Sequence, residues 1–110
     1  MSIASDLLRG HTDTIILSIL QSGDNYGYEI NKTIMSRTDN LLEIKEATLY
    51  TAFRRLEESG CILSYWGSEQ QGARRRYYTI TKLGRAQLQK DRGEWLIARD
   101  IFDQLIMNRA

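Results

Sequence analysis

The sequence predicts a mainly α fold of the α+β class: a winged helix-turn-helix unit followed by a long C-terminal dimerisation helix. Three observations predict it. Helical and extended periodicities alternate in the order helix, helix, short strand, helix, strand, strand, helix; basic charge gathers on the hairpin; and the last helix is apolar on more than one side. Residues 1–80 are assigned to the winged helix-turn-helix unit and residues 81–110 to the C-terminal helix, packed on the same single domain.

The first helix is expected over Asp6–Gln21, where Leu8, Ile15, Ile16, Ile19 and Leu20 fall largely on one side, with Gly23 as its stop. Asp24 or Asn25 can cap a second helix over Tyr26–Arg37, whose apolar positions Tyr26, Ile30 and Ile34 recur every four residues. Asp39 and Asn40 read as a turn, and Leu42-Glu43-Ile44 as a very short strand. A third helix over Glu46–Ser59 buries Leu49, Ala52, Phe53 and Leu56 and closes at Gly60. Its start is weak, because Lys45 stands where a capping Ser, Thr, Asp or Asn belongs. A hairpin follows, Ile62–Gly67 and Arg75–Ile80 around the polar turn Ser68–Ala73, and Thr81 can cap the last helix, Lys82–Met107.

Net charge is only +1, so its placement matters more than its total. Between Ser64 and Arg85, five basic residues (Arg74, Arg75, Arg76, Lys82 and Arg85) face Glu69 alone. Strand alternation puts Arg74 and Arg76 on one face and Arg75 on the other, so the three cannot share one role. Taken alone, such a run is equally a phosphate-contacting wing or a solvated face. The third helix favours the wing. Opposite its buried face lie Ala47, Thr51, Arg54 and Glu58, flanked by Thr48, Tyr50 and Arg55. Small, hydroxyl and guanidinium groups in the N-terminal half of such a helix suit the major groove.

The final helix carries Leu88, Trp95, Phe102 and Ile106 close to one line, the first three at seven-residue intervals as in a helix-pairing seam, with Ala98 and Leu105 beside it. Ile97 and Ile101 lie on another side, so the helix needs more than one partner: its own domain and a second copy of the chain. Trp95 on this seam is open to two readings, a packing anchor or a platform for a flat aromatic ligand. In the second case Leu8, His11, Ile15 and Arg99 would share the site.

No catalytic pattern is present, and His11 with Cys61 is too few ligands for a metal site within one chain. No cofactor is expected. Cys61, after Gly60, reads as a small buried hydrophobe. With a single cysteine and no apolar run able to span a bilayer, a cytoplasmic protein without membrane contact is expected. The rival to a DNA-binding reading is a winged-helix module that binds only protein.

The motifs narrow this choice. Tyr26-Gly27-Tyr28-Glu29-Ile30, the stretch Glu46–Gly60 with Thr48-Leu49-Tyr50 and Arg55-Leu56-Glu57, and the wing Gly72–Gly84 with Arg74-Arg75-Arg76-Tyr77-Tyr78 resemble, in the same order, elements of the PadR family of transcriptional regulators. The resemblance spans almost the whole chain and is nearest to the small subfamily with one C-terminal helix, which includes multidrug-responsive repressors. It implies a homodimer on a pseudo-palindromic operator, usually a repressor released by a ligand. It also implies DNA contacts by Tyr50 with its helix neighbours, by Arg74, Arg75 and Arg76, and near Tyr26. Thr51 departs from the pattern, where many members have proline, so a contact there does not carry over.

Overall fold

The computed structural model describes residues 8–68 and 74–108. Its elements, in order, are α1 (Thr12–Leu20), β1 (Asn25–Tyr26), α2 (Gly27–Arg37), α3 (Glu46–Glu58), β2 (Ile62–Trp66), β3 (Arg76–Ile80) and α4 (Lys82–Ile106). The sheet is antiparallel in the order β1-β3-β2, with Ile62 opposite Ile80 and Trp66 opposite Arg76. Except for Ser68, the polar turn of the hairpin lies outside the described residues.

Three elements differ from expectation. Helix α1 begins at Thr12, because the chain turns at Gly10 with a positive φ of 84° before entering it. The short strand lies between α1 and α2, where Asn25 pairs with Tyr78 and Tyr26 with Tyr77. Tyr26 consequently becomes the N-cap of α2, and neither Asp24 nor Asn25 caps that helix. Leu42-Glu43-Ile44 forms no strand. Leu42 and Ile44 are buried and Glu43 exposed, as in a strand, but the Asn31 amide takes the neighbour's place. Its Nδ2 donates to the Ile44 carbonyl at 2.8 Å, and its Oδ1 accepts from the Ile44 N–H at 3.1 Å.

The core joins Ile16, Leu17, Ile19 and Leu20 of α1 to Ile30 and Ile34 of α2, to the buried face of α3, and to Ile62, Tyr78 and Ile80 of the sheet. All four residues expected on the inner face of α3 are buried there. The α3 terminus closes as a Schellman turn: Cys61 N–H donates to Leu56 O, Gly60 N–H to Glu57 O, and Gly60 takes φ 79°. Phe53 stacks on Tyr78 with centroids 4.0 Å apart, which ties α3 to the sheet. Cys61 is buried, as expected of a small hydrophobe.

The start of α4 is fixed by Thr81. Its hydroxyl accepts from Gly84 N–H at 3.0 Å and donates to Gly60 O at 2.6 Å, so one side chain caps α4 and binds it to the end of α3. At 25 residues α4 is about 37 Å long at ~1.5 Å per residue. Only its first turns are covered. Leu88 is fully buried in the protomer's own core, which removes it from the pairing seam expected of it. Further along, Trp95, Leu96, Ile97, Ile101, Phe102, Leu105 and Ile106 are all exposed.

Candidate nucleic-acid interface

Thr48, Tyr50, Thr51 and Arg54 are all exposed along one side of α3, because the opposite side is committed to the core. Tyr50 leans over the start of α2. Its ring meets Phe53 edge-on, and its hydroxyl lies 3.0 Å from where a Cβ on Gly27 would stand. A glycine at position 27 is what allows this close approach. The N-terminus of α2, the N-terminal half of α3 and the wing meet around a groove of about 590 Å³, lined by Tyr26, Gly27, Tyr28, Tyr50, Trp66, Arg74, Arg75 and Arg76.

The three consecutive arginines hold three different positions, as strand alternation requires. Arg75 lies on the outer face, its guanidinium carbon 4.8 Å from the Tyr26 ring centroid. Beneath it Tyr26 meets Tyr77 edge-on at 5.3 Å, and Tyr77 stacks on Tyr65 at 5.6 Å. The Tyr65 hydroxyl donates to Asp24 Oδ2 at 2.6 Å, and this hydrogen bond raises the Tyr65 pKa above its ordinary value. Arg74 and Arg76 lie on the inner face against the Trp66 ring, at 5.8 and 5.9 Å.

Arg76 also has partners within the protomer. Its Nη2 donates to Ser64 Oγ at 2.7 Å and pairs with Glu57 Oε2 at 3.4 Å, while Ser64 donates to the same carboxylate oxygen at 2.9 Å. Glu57 belongs to α3 and Ser64 to β2, so Arg76 braces the wing against the helix that faces solvent beside it. Arg55 is turned away altogether. It forms a two-pronged ion pair with Asp13 of α1, with Nε to Oδ2 at 2.9 Å, and that hydrogen bond raises its pKa further. The α3 flank that carries Arg55 faces α1, away from the wing groove.

Of the residues expected around an effector, Trp95 and His11 come together edge-on at 5.7 Å, both exposed. Leu8 and Ile15 are partly buried against the core, and Arg99 pairs with its neighbour Asp100. Sequence reasoning missed Trp66, Gly27 and Tyr28 in the groove, and Asp13 and Glu57 as arginine partners. Trp66 alone carried a local clue, a large aromatic beside Gly67 at the open end of a basic hairpin.

Among the described residues, no helix is long and apolar enough to cross a membrane. The family model for the transcriptional regulator PadR-like family matches residues 16–90. The chain is 49% identical to a transcriptional regulator from Clostridium thermocellum of known structure, covering 93% of this chain and 96% of that one with a TM-score of 0.86. A PadR family transcription regulator from Clostridium difficile is 38% identical, covering 88% and 99% of the two chains with a TM-score of 0.77. An uncharacterised protein of Lysinibacillus sphaericus is 46% identical over 92% of this chain and 93% of its own length. The helix order, the winged sheet and these likenesses agree: the chain belongs to the PadR-like family of transcriptional regulators.

Proposed function

We propose that the protein is a cytoplasmic, homodimeric repressor that grips duplex DNA with α3 and the wing of each protomer, without enzymatic activity or cofactor. The reading rests on Tyr50 of α3 sharing one groove with Tyr26 at the start of α2 and with Arg74 and Arg75 of the wing, while Thr48, Thr51 and Arg54 stand exposed on the same helix. Helix α3 enters the major groove by its N-terminal half; Arg74 and Arg75 of the wing take phosphates. Tyr26 lies where α2 begins, within reach of the backbone that borders the groove.

The exposed end of α4 supports the dimer. Trp95, Phe102, Leu105 and Ile106, with Ala98 between them, present a long apolar stripe that a lone protomer leaves in water. Each such side chain buried in a pair contributes on the order of 1.5–3 kcal/mol. Pairing through α4 holds two α3 helices apart, and successive major grooves require about 34 Å between them.

Ligand release belongs to the same proposal. Trp95 and His11 form an aromatic corner where α4 leaves its own domain, and a flat aromatic effector stacks there, near Leu8, Ile15 and Arg99. An effector that favours a differently set dimer weakens operator binding by its differential affinity. Titration with flat cationic dyes should quench the Trp95 emission, and no quenching across a broad panel removes the effector from the account.

A titration of a fluorescent duplex from the gene's upstream region, repeated at several salt concentrations, tests DNA binding. A DNA-binding protein loses affinity steeply as salt rises. A winged module that binds only protein gives no saturable signal at any salt concentration.

A further inference from the structure

Trp66 is a large apolar side chain that folding alone does not explain. It is 56% exposed and stands outside the core cluster, although its strand neighbours on the same face are engaged: Ile62 is buried and Ser64 is bound to Glu57. The two guanidiniums of Arg74 and Arg76 lie at nearly equal distances from its ring, and Arg74 Nε also reaches the Gly67 carbonyl at 3.4 Å. The indole therefore sits at the rim of the groove shared with Tyr50 and Gly27, flanked by cations. A flat apolar surface with an N–H donor at its edge and positive charge beside it matches a sugar joined to a phosphate. The bases of a duplex stay stacked and cannot lie on the ring, but the deoxyribose of the backbone can.

We propose that Trp66 is a further DNA-contacting residue, seating a deoxyribose of one backbone strand against its indole while the adjoining phosphate meets Arg74. This rests on the DNA-binding reading above. It assigns the wing a shape-reading contact besides its charge, and it explains why Arg74 and Arg76 share an aromatic plate: cation–π attraction holds a guanidinium in place before DNA arrives.

The test uses the full-length protein labelled with 5-fluorotryptophan. Its two tryptophans, Trp66 and Trp95, give two fluorine resonances, and Trp66→Phe assigns them. Fluorescence anisotropy of a labelled duplex reports binding independently. At saturation with duplex the Trp66 resonance should move and lose most of its solvent-isotope shift. Trp66→Ala should weaken binding roughly tenfold, since the seat for the sugar and the cation–π hold on Arg74 are lost together, while Trp66→Phe, which keeps a flat ring, stays within about threefold. Unchanged circular dichroism confirms that both variants fold. Saturated anisotropy with an unmoved, still solvent-exposed Trp66 resonance overturns the proposal and leaves DNA binding intact. If no duplex changes the anisotropy, the DNA-binding reading falls and this contact with it.

Discussion

Gly84 occupies a tight junction between α4 and the turn after α3, and replacing it with alanine should be costly. It is buried in the first turn of α4, where its N–H donates to the Thr81 cap. A Cβ at this position would run into the Cys61 carbonyl oxygen and lie 2.8 Å from Ile80 Cγ1 and 3.0 Å from the Cys61 carbonyl carbon. Neither obstacle can swing aside, one being backbone and the other the first methylene of a buried, β-branched core side chain. Helix α4 must slide outward and strain the Thr81 hydrogen bonds that tie it to Gly60. Overpacking of this kind costs about 1–3 kcal/mol and a weakened cap about 1, against a gain of ~1 from helix propensity. The net loss is about 1–3 kcal/mol, or roughly 5–15 °C in melting temperature for a domain of this size. Gly93 supplies the opposite sign. It lies mid-helix and exposed, with nothing within 4 Å of an added Cβ, so Gly93→Ala should stabilise by up to ~1 kcal/mol. Thermal melts of both variants at one fixed protomer concentration give the comparison. A Gly84→Ala protein melting within about 2 °C of the parent would refute the packing argument, since overpacking of this size should move the midpoint severalfold more.

Three further outcomes follow from the site and the seam. Arg75→Gln should flatten the log–log salt dependence of DNA affinity by about 0.9 per lost phosphate contact, whereas Arg76→Gln should lower affinity with little change of slope; equal slopes for the two variants would show that Arg76 is no brace. Leu105→Glu, at a position 71% exposed, should leave the protomer folded but shift its sedimentation toward the monomer at micromolar concentration; an unshifted dimer would place the interface elsewhere. Burial raises the Tyr78 hydroxyl pKa above its ordinary value of 10, so the folded state holds this proton more tightly than the unfolded state. The stability it contributes is complete below about pH 10 and is lost as pH rises through the folded pKa. Denaturant midpoints measured across that range should fall, and Tyr78→Phe should flatten the fall.

Local information in the chain carries the helices and the wing but not the partners of the charges. The spacing of Leu49, Ala52, Phe53 and Leu56, the stop at Gly60 and the cap at Thr81 are short-range patterns, and the structure repeats each of them. Arg55 and Arg76 could not be sorted in the same way. Asp13 and Glu57, which hold them, are brought close only by the packing of α1 on α3 and of α3 on the wing. The Asn31 clamp on Ile44 is equally non-local, so Leu42 and Ile44 look like a strand in sequence while their backbone is satisfied by a side chain. Leu88 shows a further limit of periodicity. It shares its stripe with Trp95 and Phe102, but a helix this long leaves its own core partway, and one stripe serves different surroundings along its length. Trp66 escaped notice because its meaning depends on which way the hairpin faces.

Selection of bound duplexes from a random pool reads binding, symmetry and half-site spacing from one set of sequences. The predicted result is an enriched inverted repeat whose half-site centres lie about ten base pairs apart, one helical turn, recovered only at low to moderate salt. Enrichment of a single unrepeated half-site, or no enrichment at all, would contradict a paired grip on DNA by two copies of this chain.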